Sequence, residues 1–401
     1  MDKAIAQGST GDEAEAMTIE QLRELGADVL TDWGQQKQSD SLQKERAQNP
    51  RAINHIKKVK WLTTYGLIEV EEQVLRLGRR GPELRPFCVR AGVRNRACSL
   101  SLQRAIVDFG AEGAFAPASR RVREHYGIDV SVSAIRNCTL KHGKAMAMTA
   151  EKAAPRLPAK MLVTQMDGSM VPMAQAGSGP DRRKGKKVYW REARLCCARS
   201  LEAVEPFYGA TLGSVEVAGL LWGQTARLSG RAENTYVHGV GDGAGWINAQ
   251  FQENFGRQGA YLLDLHHVSD YLVAAGTKVA RPGQEKKWRR QQQARLLTNR
   301  YASVLRTLER HLEPAGVKEA PVRAAHRYLQ ERSGQLDYAG ARAKGLPVGS
   351  GEIESGHRHV IQHRLKIAGG WWTERNAESM LQMRVARANH WWDAYWAAAK
   401  N

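Results

Sequence analysis

The chain has 401 residues, with 60 Lys and Arg against 41 Asp and Glu, for a formal net charge of +19. Apolar residues make up 42% and charged residues 25%, a globular balance that excludes disorder throughout. No apolar run approaches the ~18 residues of a membrane span, the first residues lack the pattern of a secretory signal, and five cysteines are too few for a disulfide framework.

The expected setting is therefore a reducing cytoplasm, with no membrane partner. The basic charge favours a polyanion, and nucleic acid first of all, so association with the nucleoid is expected. The length suggests about two to four domains.

Residues 1–44 carry nine acidic side chains against four basic ones, a net −5 that leaves +24 for the rest. Gln7–Glu15 reads as a flexible tail, and a helix is expected from Thr18, with Gln21 completing a capping pattern. A small basic region with β-structure spans 45–99, where Trp61–Tyr65 and Ile68–Leu75 flank Gly66 as a hairpin. Residues 100–150 read as three helices: Leu100–Phe109, Pro117–Tyr126 with Gly127 past its end, and a third capped by Ser131 or Ser133 and running through Leu140. A short helix, a tight turn and a second helix is a helix-turn-helix pattern. Its last helix would present Ser133, Arg136, Asn137 and Lys141, residue types that reach phosphates and base edges. Any small helical bundle gives a similar spacing.

After Pro155 and Pro158 the texture turns to mixed α/β. Met161–Met166 reads as a buried strand ending in Asp167-Gly168, and Lys187–Ala198 as a second strand. Ala226–Ser229 reads as a weak third, Thr235 onward as a strand running into Gly241-Asp242-Gly243, and Gly259–Asp264 as another. Residues 278–345 read as long helices rich in Arg, Lys and Gln, and 351–397 as helix again after Gly349-Ser350-Gly351.

Three acids stand out by context: Asp167 and Asp242 at strand ends, and Glu354 where a helix begins. Neighbouring parallel strands bring their C-terminal ends together, and a helix packed over those ends completes a carboxylate cluster. Such oxygen ligands suit Mg²⁺ or Mn²⁺, and two ions ~3.5–4 Å apart can stabilise the attacking and leaving oxygens of a phosphodiester. Taken singly, each acid also fits an ordinary turn or cap.

The block Pro347-Val348-Gly349-Ser350-Gly351-Glu352-Ile353-Glu354-Ser355-Gly356-His357-Arg358 resembles a signature of bacterial DDE insertion-sequence transposases of the ISKra and ISLre type. So do Arg364–Trp372 and the stretch from Ala377 to Trp396, and the blocks at Gln165–Met173, Gly241–Ile247 and Leu263–His267 follow in the order of that group. The resemblance covers roughly 55–397. It implies an RNase H-like α/β catalytic core in two parts (159–277 and 346–401) with an all-helical insertion at 278–345, preceded by the helix-turn-helix-like region. It implies cleavage of double-stranded DNA at insertion-sequence ends and strand transfer into target DNA, by a homodimer or higher oligomer.

Carried over, Asp167, Asp242 and Glu354 are the catalytic acids and metal ligands, separated by 75 and 112 residues. Glu352 is the alternative for the third. Asp264 and His267 resemble a (C/D)xxH element, and His267 is a candidate catalytic residue that would orient scissile DNA or bridge to an acid, with a satisfied structural histidine as the other reading. Two other readings stand beside this one: a catalytically inactive DNA-binding descendant, and an RNase H-like nuclease that cuts without joining.

Ten basic side chains fall in residues 278–311, among them Lys286, Lys287, Arg289 and Arg290 around Trp288, as candidate phosphate contacts. Arg182–Lys187 is a second basic run, expected as a loop beside the site. His359 and His363 share one face if helical, without further ligands for zinc. Cys88 and Cys98 form no CxxC pair, and Cys196-Cys197 reads as buried strand. The tryptophans at 371, 372, 391, 392 and 396 are expected in the core.

Overall fold

A computed structural model describes residues 10–50, 52–78, 81–177 and 185–400. It divides into two compact units, one ending at Thr139 and the other covering Leu140–Ala399.

The first unit begins with a 38-residue helix, α1 (Gly11–Gln48). Its start lies seven residues before the expected one at Thr18, because Thr10 and Glu13 form a reciprocal capping box. Thr18 instead bonds its hydroxyl back to the Ala14 carbonyl inside the helix. Of the expected tail, 7–9 lie outside the described residues, and Gly11–Glu15 are helical. The expected hairpin is present: β1 (Ile53–Thr63) pairs antiparallel with β2 (Gly66–Arg76), turning at Gly66 with φ +117°. A side chain at Gly26 would strike the ring of Tyr65, and one at Gly34 would strike Val70, so small residues let α1 lie close on the hairpin. The short β3 (Glu83–Leu84) and β4 (Ala97–Cys98) complete the order β3-β2-β1-β4, with α2 (Pro86–Ala91) between them.

Three helices follow: α3 (Leu100–Glu112), α4 (Phe115–Tyr126) and α5 (Val132–Lys152), which continues past the expected Leu140. Ser99 and Ser131 cap α3 and α5, and Gly127 takes the left-handed conformation after α4. Their shared core is Leu102, Ile106, Ala118, Val122, Ile128, Val130 and Ile135.

The second unit is built on a five-stranded sheet of order β7-β6-β5-β8-β9. The strands are β5 (Met161–Gln175), β6 (Lys187–Ser200), β7 (Phe207–Thr211), β8 (Tyr236–Gly241) and β9 (Gly259–Leu263). Only β6 runs against the others: β5, β8 and β9 are parallel neighbours. Alternating side chains serve two faces. Leu162, Met166, Val237 and Tyr261 meet α6 (Val215–Leu228) and α7 (Gly245–Phe255) through Trp222, Phe251 and Phe255. Val163, Val240 and Leu262 face α8 (Leu265–Val279) and the helices that follow it.

Those helices are α9 (Glu285–Leu297), α10 (Tyr301–Glu309), α11 (Pro321–Glu331) and α12 (Tyr338–Ala343), with no strand between them among the described residues. The chain returns through α13 (Gly351–Gly356), a π-helical turn at His357–Gln362, α14 (Glu374–Ala388) and α15 (Trp392–Ala398). Ala226–Ser229 is not a strand: Ala226 is buried in the last turn of α6, and Ser229 is its cap. The π turn also breaks the four-residue repeat on which a shared face for His359 and His363 depended.

Candidate carboxylate site at the parallel strand ends

Register sets the site. Val240 lies opposite Gln165 on one side and Leu262 on the other. Two residues further along come Asp167, still inside β5, and Asp242 and Asp264, each one residue past the end of β8 and β9, so the three acids lie where the parallel pairing stops. Asp264 keeps this register in its backbone, donating its N–H to the Gly241 carbonyl at 2.7 Å. Asp167 does not end its strand, as the sequence suggested. β5 continues eight residues past it, because β6 stays paired with it after β8 has ended.

The helices after α8 hold these ends. The Tyr328 hydroxyl donates to the Asp242 carbonyl at 2.5 Å, Arg332 Nε donates to the Gly243 carbonyl at 2.8 Å, and the Tyr338 hydroxyl donates to the Leu263 carbonyl at 2.9 Å. Burial pushes both tyrosine hydroxyls above their ordinary pKa, so they remain donors. Gly243 turns with φ +76°, and a side chain there would collide with Leu263 and Arg332. Asp242 Oδ1 accepts from the Ala244 N–H at 2.8 Å, an Asx-type turn into α7.

The loop before α13 is pinned to the same strand ends. His238 Nε2 donates to the Pro347 carbonyl at 2.8 Å, and the Val348 carbonyl accepts from the Leu265 N–H at 3.0 Å. Burial holds the pKa of His238 down, which suits a neutral donor. Asp264, fully buried, accepts from the His266 N–H and from both the N–H and the hydroxyl of Ser350. The buried Gln165 Oε1 then accepts from the Ile353 N–H at 2.9 Å, seating α13 on β5. Glu354 follows, with its side chain exposed.

One oxygen or nitrogen each from Asp264, His267 and Glu354 lies within 4.8 Å of the others, a group able to hold a metal ion. Asp167 and Asp242 do not belong to that group. Asp264 is the least available of its members, because three hydrogen bonds already occupy its two oxygens. Asp167 Oδ1 accepts from the Gly168 N–H at 2.7 Å, and Oδ2 stands 3.1 Å from Nε2 of the buried His357. His357 received no role from the sequence, although it sits in the quoted block; its contact joins residues 190 positions apart. Glu352 is engaged elsewhere, with Oε1 2.6 Å and 2.8 Å from the guanidinium of Arg199 on β6.

Of the expected DNA contacts, Arg136, Asn137 and Lys141 are exposed on α5, where Asn137 Oδ1 accepts from the Arg136 guanidinium. On α9, Lys286, Lys287 and Arg290 are exposed and Arg289 is half-buried, while Trp288 packs against the core beside Gly276. Arg182, Arg183 and Lys184 lie outside the described residues. The Cys88 thiol donates to the buried Glu72 at 3.2 Å, and burial pushes its pKa up to about 12, which suits a packed thiol and not a zinc thiolate. Trp372 and Trp396 are core, as expected, but Trp371 is not: it is 43% exposed.

No family model matches the chain. A stretch of it is 31% identical over 156 residues to the "UPF0236 protein in vanSb 3'region" of Streptococcus gallolyticus, covering 38% of this chain and 34% of that protein, so about a third of the relative's length is spanned. Among solved structures, the Drosophila P element transposase strand transfer complex aligns over 77% of this chain and 82% of that one, at 10% identity and a TM-score of 0.30. A score that low does not argue for a shared fold. Among the described residues, no helix is long and apolar enough to cross a membrane.

Proposed function

We propose that the chain is a DDE-type transposase with an RNase H-like core, acting on DNA phosphodiesters with divalent metal. The observation that carries this reading is the placement of Asp167, Asp242 and Asp264 where the pairing of three adjacent parallel strands stops, with the Ile353 N–H, one residue before Glu354, bonded to Gln165 on β5. The net charge of +19 supplies the attraction for a polyanionic substrate.

Carboxylates are the donor type a hard cation takes, and among the described residues Asp264, His267 and Glu354 are the group whose ligand atoms converge within 4.8 Å. Asp167 and Glu354 offer solvent-reachable carboxylate oxygens, and the side chain of Asp242 accepts a hydrogen bond from the Ala244 N–H. Asp167, Asp242 and Glu354 are the proposed ligands of Mg²⁺ or Mn²⁺, which would supply an activated water or 3′-hydroxyl and charge stabilisation at the phosphate. Asp264 is assigned to holding the loop before α13, and His267 to the DNA side of the site. His357 lies against Asp167 and restrains its carboxylate. Arg136, Asn137 and Lys141, with the basic face of α9, are the proposed duplex contacts, and a dimer or larger assembly would hold two ends.

The test is cleavage and joining of duplex DNA carrying the element's own ends, with and without Mg²⁺. Wild type should nick and join, whereas Asp167→Ala and Asp242→Ala should bind the same DNA and do neither. Cleavage retained by Asp242→Ala overturns the assignment. Cutting without joining selects the nuclease, and metal-independent binding alone selects the inactive descendant.

A further inference from the structure

Beyond Asp167 the sheet narrows to a two-stranded ribbon, in which residues 168–175 of β5 pair with 187–194 of β6. One face is covered. Val171 and Met173 are buried there, and Tyr189 and Arg191 on the same side bond Glu374 at the start of α14. The opposite face is partly open: Pro172 is buried on it, whereas Met170, Val188 and Trp190 are exposed. Pro172 lies directly across from Trp190, and Ala174 across from Val188, so these four side chains point the same way.

A third backbone joins the row. Trp372 bridges in parallel to Met173 and is buried with it, whereas its neighbour Trp371 is exposed. Trp190, across from the buried Pro172, is 58% exposed and Trp371 is 43% exposed, and the ammonium of Lys186 lies 5.1 Å from the Trp371 ring centre. Met170 and Val188 extend the exposed apolar surface along the ribbon. Burying this area in water-free packing would be ordinary for a core; leaving it open on an extended arm is not.

We propose that this face is a stacking platform for the bases of an unpaired DNA strand. Aromatic rings accept any base through its π-face, and a cation over one ring adds attraction for the phosphate that follows. The strongly basic chain and Lys186 at the row favour a polyanion over an apolar protein surface. The assignment rests on the DNA reading above, but it concerns binding and not cleavage, so the two can fail separately.

The test uses the full chain, without metal, and a labelled oligothymidylate beside a labelled duplex in fluorescence anisotropy at constant salt. Trp190→Ala and Trp371→Ala should each weaken oligothymidylate binding about ten-fold. Trp190→Phe should restore most of the affinity, and duplex binding should not change. The proposal is overturned if Trp190→Ala binds oligothymidylate as wild type does, or if both DNAs are lost equally. It is also overturned if wild type is a dimer in solution that Trp190→Ala converts to monomer without loss of strand binding, since the face then meets a second copy. If the strand binds as proposed while the Asp167 and Asp242 variants still cleave, the ribbon stands and the catalytic assignment falls.

Discussion

Asp264 accepts two hydrogen bonds from Ser350, one from its N–H at 2.7 Å and one from its hydroxyl. A third comes from the N–H of His266, so one buried carboxylate ties the first turn of α8 to the loop that launches α13. Ser350→Ala removes one charge-assisted bond and should cost about 2 kcal/mol. Asp264→Ala also strands the Ser350 N–H and should cost about 3 kcal/mol or more. Urea unfolding followed by circular dichroism measures both. A wild-type midpoint for Asp264→Ala would show that the loop is held by its other contacts.

Tyr328 reaches Asp242 from a helix 86 residues away in the chain, and touches its backbone carbonyl, not its carboxylate. Tyr328→Phe keeps the ring, which stacks on Tyr271 with centroids 4.0 Å apart, and deletes only the bond. Stability should fall by about 1 kcal/mol. The specific consequence concerns metal: the Mg²⁺ concentration for half-maximal cleavage should rise several-fold, with the rate at saturating metal closer to wild type. An unchanged metal dependence would leave Tyr328 a packing residue only.

Much of the strand-end geometry was legible in the sequence because apolar runs stop at Asp next to Gly in Met166-Asp167-Gly168 and Gly241-Asp242-Gly243. Such a stop marks where side chains leave the core. It does not say which strands are neighbours; that required the register linking Gln165, Val240 and Leu262. The extension of β5 past Asp167 was hidden because strand length there is set by its partner β6, not by its own pattern. Ala226 misled for the opposite reason: a short apolar run at the end of α6 carries no period to tell helix from strand. Trp371 and Trp372 are adjacent and chemically identical, and only the bridge of Trp372 to Met173 decides which one is buried. The hold of Tyr328 and Arg332 on the Asp242 loop had no sequence signal at all, since long-range bonds to a carbonyl place no constraint on residue type near the acceptor.

Glu352 and Glu354 are two residues apart and the sequence left both open as the third acid. The structure gives them different surroundings. Glu352 is paired with Arg199, whose guanidinium also donates to the carbonyls of Ser200, Leu201 and Ala203, whereas Glu354 is exposed beside Asp264 and His267. Glu354→Gln should abolish cleavage with little change in stability. Glu352→Gln should retain cleavage and lose about 1–3 kcal/mol, because a half-buried guanidinium gives up its charged partner. The reverse pattern in a single-turnover nicking assay would assign the third acid to Glu352.

His142, on α5 within the second unit, sets a pH dependence separate from the carboxylates. Its ring is buried against Trp396, with Nδ1 2.7 Å from the Tyr395 hydroxyl. Burial, and then the neighbouring charge of Lys141, lower its pKa from 6.5 to about 4. The folded protein therefore holds this histidine neutral where the unfolded chain would protonate it. Between pH 6.5 and about 4 the unfolded state binds the extra proton, so this group's contribution is full above pH 6.5 and is lost as pH falls through that window. Below about 4 both states are protonated and the loss levels off. His142→Gln cannot titrate, so the drop in urea midpoint from pH 7 to pH 5 should be smaller in the variant than in wild type, although the variant starts less stable at pH 7. An equal drop in the two proteins would show that acid sensitivity arises at other groups.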